Sequence, residues 1–159
     1  MRRRLAGMKQ ILLICAVVAL VGCGKKEEPL IADPTVERAV RERVGKPTGK
    51  LTKADLEEVR SLDFYNKRIT DLSNLAVLTN LEELTLHDNQ LADLSALTRL
   101  PNLKVLYLSM NQTYDLGPLA GLTKLEEVYL TNNPQLTKAQ IAELQEALPK
   151  CKITHNAKK

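Results

Sequence analysis

The sequence predicts an α/β solenoid of about four stacked coils, with a parallel sheet along one side and a helical cap at each end. Three observations predict it. Val59-Arg-Ser-Leu62-Asp-Phe64, Leu81-Glu-Glu-Leu84-Thr-Leu86, Leu103-Lys-Val-Leu106-Tyr-Leu108 and Leu125-Glu-Glu-Val128-Tyr-Leu130 start 22 residues apart, and self-similarity at such a period marks a repeat architecture. Leu72, Leu75, Leu78, Leu81 and Leu84 step by three. Each step turns about 300° round an α-helix, so four steps carry the stripe about 240° round and no single helical face can bury it. Pro101, Pro118 and Pro134 would interrupt any long helix. Short strands of period two, as in Leu84-x-Leu86, joined by tight extended or 3₁₀ turns satisfy all three observations.

The first element, residues 1–22, is a leader. Met1 to Gln10 is basic, and Ile11 to Val21 is an unbroken apolar run of eleven residues. Such a run rises about 16 Å as a helix, half of a ~30 Å hydrocarbon core, so it does not read as a membrane span. A basic stretch, a short apolar run and a small residue make the pattern of a secretory signal. Met8 competes with Met1 as the start, because Met8-Lys9-Gln10 and the apolar run already form a complete short signal. The run ends Leu20-Val21-Gly22-Cys23, which resembles the bacterial lipobox at every position. That resemblance implies that Cys23 carries covalent lipid and becomes the first residue of the mature protein. The other reading is a plain secretory signal with a coincidental cysteine. Each buried CH₂ contributes about 0.8 kcal/mol, so several acyl chains anchor durably where one is reversible. Gly24 stands where the family's inner-membrane retention signal has Asp, which implies the outer membrane if the source is Gram-negative. Residues 23–32 then comprise the lipidated cysteine and a polar tether. Lys25 to Ala32 reach at most about 28 Å, so the domain is expected to work close to the bilayer.

Residues 33–58 read as a helical N-terminal cap. Asp33-Pro34 starts a helix, Val36, Ala39, Val40 and Val44 share one face, and Gly45 with Pro47 stops it. Thr52-Lys-Ala-Asp55 opens a second short helix carrying Leu56 and Val59. Residues 59–136 hold the repeats. Each copy continues to Asn at its ninth position, Asn89, Asn111 and Asn133, with Lys67 in the first copy. Ile69-Thr-Asp71-Leu72, Leu91-Ala-Asp93-Leu94 and Thr113-Tyr-Asp115-Leu116 align in the second halves. This resembles the L-x-x-L-x-L-x-x-N-x-L pattern of a leucine-rich repeat, and the 22-residue period with its D-L-x-x-L-x-x-L half resembles the internalin-type subclass of bacteria. Residues 34–72 resemble the helical N-terminal cap of such proteins. The Asn column is expected to satisfy backbone groups inside the turns, where burial without a partner costs about 1–3 kcal/mol each. Lys67 departs from the column beside a cap. Residues 137–159 form the C-terminal cap: Thr137 and Gln140 make a capping box, Ile141, Leu144 and Leu148 an apolar stripe, and Cys151-Lys-Ile153 a last short strand.

The charge and chemistry narrow the function. The chain carries a formal charge of +4. Taking the four basic residues of 1–22 from the total of 23 leaves 19, against 19 acidic residues. A phosphate-binding footprint, and with it nucleic acid, is excluded as the main theme. Neither His87 nor His155 has a Cys or carboxylate at metal-ligand spacing, and no nucleophile elbow, phosphate-cradling glycine loop or C-x-x-C occurs. Cys151 reads as a buried structural thiol, with a reactive or intermolecular thiol as the alternative. Glu83 and Glu127 fall two coils apart, roughly 10 Å, near the spacing of an inverting carboxylate pair. They lie on an open sheet, and no catalytic residue, metal or cofactor beyond the lipid on Cys23 is expected. Asp71, Asp93 and Asp115 recur in register and read as turn caps rather than a calcium site.

What remains is the outward face of the sheet. Strand side chains alternate, so the third, fifth and seventh positions of each coil point away from the leucines. They are Ser61, Asp63 and Tyr65; Glu83, Thr85 and His87; Val105, Tyr107 and Ser109; Glu127, Tyr129 and Thr131. Three of the four tyrosines fall there, and tyrosine combines contact area with a hydroxyl. We expect a monomeric, non-catalytic module of the cell envelope, held to the membrane by lipid, that binds a protein or peptide through this face. The alternative is a structural or glycan-binding module using the same tyrosines. The face, with Asp88, Lys104, Met110 and Asn132 at its edges, holds fewer residues than the roughly 20–30 per side of a stable interface, which favours a modest complex.

Overall fold

The computed structural model describes residues 29–158. The leader, Cys23, the tether as far as residue 28, and Lys159 lie outside the described residues. The chain runs through α1 (Pro34–Arg43), α2 (Lys53–Glu57), β1 (Ser61–Asp63), β2 (Glu83–Thr85), β3 (Val105–Tyr107), β4 (Glu127–Tyr129), α3 (Lys138–Ala147) and β5 (Lys152–Thr154). The five strands form one parallel sheet in sequence order. Ser61 pairs with Glu83, Glu83 with Val105 and Val105 with Glu127. Each strand thus sits one period along from the last, and the predicted α/β solenoid of four coils is the fold. Glu127 pairs with Lys152, three residues beyond the period, because α3 replaces the short turn of the earlier coils.

Opposite the sheet, 3₁₀ turns occupy Ser73–Val77, Ser95–Arg99 and Gly117–Leu119. They explain the leucine step of three. A 3₁₀-helix has three residues per turn, so side chains at i and i+3 eclipse, and Leu72, Leu75 and Leu78 all point inward and are buried. The N–H groups of Leu75, Leu78 and Leu81 each donate to the carbonyl three residues back at 2.9 Å. Asp71, Asp93 and Asp115 start these turns: their carboxylates accept the N–H of Ser73, Ser95 and Gly117 at 2.8 Å in each case. The hydrogen bonds from the Ser73 hydroxyl and N–H hold the Asp71 carboxyl below its ordinary pKa.

The Asn column does more than close its own turns. Asn89 Nδ2 donates to Leu86 O in its own coil and to Phe64 O in the preceding one, while its Oδ1 accepts the N–H of Ile69, also in the preceding coil. Asn111 repeats this with Leu108, Leu86 and Leu91, and Asn133 with Leu130, Leu108 and Thr113. Each amide therefore staples its coil to the one before. The first coil has no coil before it, which is why Lys67 is tolerated there and lies exposed. Thr113 replaces the apolar residue of earlier copies inside the core, and its hydroxyl donates to Leu91 O at 3.4 Å.

Both ends are closed. Asp33 caps α1 by accepting the N–H groups of Thr35 and Val36, and Val36 and Val40 are buried against the first coil. Arg43 Nε donates to Ser61 O at 2.8 Å, covering the outer edge of β1, where unpaired backbone groups invite another chain. The tether assigned to residues 23–32 ends earlier than its polarity implied. Ile31 is 2% exposed, and the N–H groups of Ala32 and Asp33 both donate to Asn74 Oδ1. An apolar side chain beside the core gains more from burial than from reach. At the other end the Thr137–Gln140 capping box opens α3, Ile141, Leu144 and Leu148 are buried, and the Gln145 amide donates to Leu148 O and Cys151 O.

The N-terminal cap is expected to be sensitive to acid. Asp55 accepts from Lys46 Nζ at 2.7 Å and from the Thr52 N–H at 2.6 Å. These bonds, Lys46 first, lower its pKa from 3.8 to about 2. A carboxyl whose folded pKa is depressed contributes stability above its unfolded value, and that contribution is lost as pH falls through the folded value. Acid unfolding followed by circular dichroism should therefore show a slope between pH 3.8 and about 2 that Asp55→Asn removes. An identical acid profile in the variant would refute this.

Candidate functional site

The concave face is three rows deep because each strand and its continuation expose alternate residues. Register aligns Ser61, Glu83, Val105, Glu127 and Lys152 in the first row, and Asp63, Thr85, Tyr107, Tyr129 and Thr154 in the second. The ladder continues past the strands, since Asn66, Asp88 and Met110 donate their N–H groups to His87 O, Ser109 O and Thr131 O. Tyr65, His87, Ser109 and Thr131 thereby form the third row. The predicted residues share one surface, and β5 adds Lys152 and Thr154 to it. The alternation around Ile153 indicates that strand from the sequence, but only its pairing with β4 places the two residues on the concave face.

The aromatic side chains gather in two stacks. Tyr107 and Tyr129 are parallel, with ring centroids 4.8 Å apart and planes at 9°. Tyr65 and His87 lie 5.5 Å apart at 13°. Each is a cross-strand pair on neighbouring coils, so the rings hold one another in place. Tyr65 remains 53% exposed. One predicted contact residue differs: Ser109 is 5% exposed, not open. Its Oγ accepts the Thr131 hydroxyl at 2.8 Å, and a short side chain bonded sideways lies below its neighbours.

The charges are unevenly spent. The Tyr129 hydroxyl donates to Glu127 Oε2, and Lys152 Nζ lies 4.0 Å from the same oxygen. The hydrogen bond to Glu127, followed by burial and the carboxylate charge, pushes the Tyr129 phenol above its ordinary pKa. Glu82 and Lys104 pair on the rim at 2.6 Å, lowering the pKa of the first and raising that of the second. Glu83 and Asp63 stay exposed. Along the rim Asn66, Asp88, Met110 and Asn132 all have left-handed backbones, with φ from 50 to 58°. Asn and Asp tolerate that conformation, whereas Met110 gains nothing locally from it and is 44% exposed.

No enclosed acid–base site emerges from Glu83 and Glu127, because Glu127 is committed to Tyr129 and Lys152. Among the described residues no group of three or more His, Cys, Asp or Glu could hold a metal ion. No helix among them is long and apolar enough to cross a membrane. Cys151 is buried, and desolvation, then the charge of Glu127, raises its thiol pKa. A thiol so held is a poor nucleophile.

The family described as Leucine Rich repeats (2 copies) matches residues 57–99 and 101–146, together more than half of the chain. No curated protein matches it. Among solved structures it is similar to the internalin inlF of Listeria monocytogenes, with 22% identity and a TM-score of 0.62, over 82% of this chain and 46% of that one. Internalin C2 of the same organism aligns at 26% identity and a TM-score of 0.59, over 82% and 68% of the two chains. A leucine-rich-repeat protein of Leptospira interrogans aligns at 28% identity and a TM-score of 0.57, over 65% and 28%. The chain thus spans less than half the length of inlF and of the Leptospira protein.

Proposed function

Because the chain belongs to the leucine-rich-repeat family, we propose that it is a non-catalytic, lipid-anchored module of the bacterial cell envelope that binds a protein or peptide through its concave sheet. Leucine-rich-repeat proteins commonly mediate protein binding, and internalin-like neighbours fit that role. The observation that carries the reading is the pair of pre-stacked aromatic clusters, Tyr107–Tyr129 and Tyr65–His87, on an open face whose other residues are polar apart from Val105 and, on the rim, Met110. Rings already fixed against each other lose little side-chain entropy on binding, so more of their contact energy is retained. Leu20-Val21-Gly22-Cys23 supplies the anchor, and Ile31 docked on the first coil keeps the domain near the membrane. The protein acts as a monomer, at the outer membrane if the source is Gram-negative.

A photoreactive residue at Tyr107, with a control at the exposed convex residue Thr98, tests this in cells. The expected result is a protein captured from position 107 alone, in a membrane fraction from which Cys23→Ser is released. Capture from both positions equally, or from neither, would overturn the binding role. Retention on surface glycan abolished by Tyr107→Ala would replace it with the glycan-binding role. Cys23→Ser that stays with the membrane would remove the lipid anchor.

A further inference from the structure

We infer that the concave face contains a receptor for a basic side chain of the bound protein, arginine in preference to lysine, in a cup floored by Thr85. This rests on the concave face being the protein-binding surface. Register places Asp63 on one side of Thr85 and Tyr107 on the other, each one strand spacing of about 4.8 Å away. Along β2 and its continuation, Glu83 and His87 stand on the same face, each two residues or about 6.6 Å from Thr85. A short side chain is therefore ringed by four longer ones.

The ring has the chemistry of a cation site. Tyr107 gives one face to Tyr129, which leaves its other face toward the Thr85 side, and a cation over an aromatic face is attracted by the ring quadrupole. Among the described residues Glu83 makes no side-chain hydrogen bond or ion pair. Asp63 spends one oxygen on the N–H of Tyr65 at 2.8 Å and keeps the other. The neighbouring acids differ: Glu127 is held by Tyr129 and Lys152, and Glu82 by Lys104. Arg38 and Lys67 line the groove on the outer side of Asp63, and neither forms an ion pair with it. Residues 29–158 balance 17 acidic against 16 basic side chains, so the two free carboxylates are a local surplus rather than part of a general acidic surface. A planar guanidinium can lie on Tyr107 while its edge meets a carboxylate, which an ammonium group cannot do.

The test titrates N-acetyl-arginine amide, and its neutral citrulline counterpart, into the detergent-solubilised full chain, following backbone amide signals by NMR. Saturable shifts at Glu83, Thr85 and Tyr107 are expected with the arginine probe only. The weak affinity of so small a probe should fall at least fivefold in Asp63→Asn/Glu83→Gln, whose thermal midpoint should be unchanged because both side chains are exposed and an amide oxygen at position 63 still accepts the Tyr65 N–H. Equal shifts with citrulline, or undiminished binding in the double variant, would overturn the cup. Photocapture in cells from Thr131, which lies outside the cup, separates the two levels of the reading. Loss of the captured protein in the double variant, with an arginine-bearing segment at the wild-type crosslink, supports the cup. Capture retained in the double variant removes the cup and leaves the concave interface standing, and no capture from the wild type overturns both.

Discussion

Asn111→Ala is expected to destabilise the domain by about 1–3 kcal/mol, the cost of one buried donor left without a partner. Asn111 is 4% exposed. Its Oδ1 accepts the Leu91 N–H at 3.0 Å, and its Nδ2 donates to Leu86 O at 2.9 Å and Leu108 O at 3.1 Å. Alanine strands the Leu91 donor between coils too tightly packed to admit solvent freely, whereas Leu86 O keeps the Asn89 amide and Leu108 O keeps the Asn133 amide. No buried side-chain nitrogen or oxygen among the described residues now lacks a partner. Denaturant unfolding at equilibrium would measure the loss, and a loss below about 1 kcal/mol would mean that water takes over the amide's bonds. Lys67→Asn supplies the contrast. An amide there finds carbonyls of its own coil but no preceding coil to staple, so a change within about 0.5 kcal/mol is expected.

Leu106→Ala should cost more, about 2–5 kcal/mol, through lost transfer energy and the cavity left behind. Leu106 is 0% exposed and sits in register between Leu84 and Val128, so the void is walled by a coil on each side. In a solenoid each coil contacts only its neighbours, and an interior coil loses two interfaces where a terminal coil loses one. Leu136→Ala, next to the C-terminal cap, should therefore cost less. Calorimetric unfolding of both variants decides the point, and equal losses would show that the caps are coupled to the sheet as strongly as the coils are to one another.

Much of this fold was legible in the residues. The three-residue leucine step is the period of a 3₁₀ turn, and the recurring Asp that starts each turn bonds to the N–H two residues on, so each signal spans a few positions of one coil. The capping boxes Thr52–Asp55 and Thr137–Gln140 and the Asp33-Pro34 helix start are equally local. The candidate face was legible as a list, because alternation assigns Tyr65, Tyr107 and Tyr129 to one side of the strands. Its relief was not. Ser109 occupies a facing position but lies below the surface, and Ile31 sits in a polar stretch but packs on the first coil. Each outcome depends on a neighbour far along the chain, Thr131 in the first case and the first coil with its Asn74 anchor in the second.

The sequence by itself therefore determined the coil, its length, the parallel register of β1 to β4 and the two caps. The tertiary structure alone decided which coil each Asn reaches back to, that β5 brings Lys152 beside Glu127, which rings stack, and which carboxylates remain free. Interactions within a coil fall at constant sequence separations, so periodicity reports them directly. Interactions between coils depend on how tall the adjoining side chains are and which partners they have already taken, and those quantities exist only once the coils are stacked.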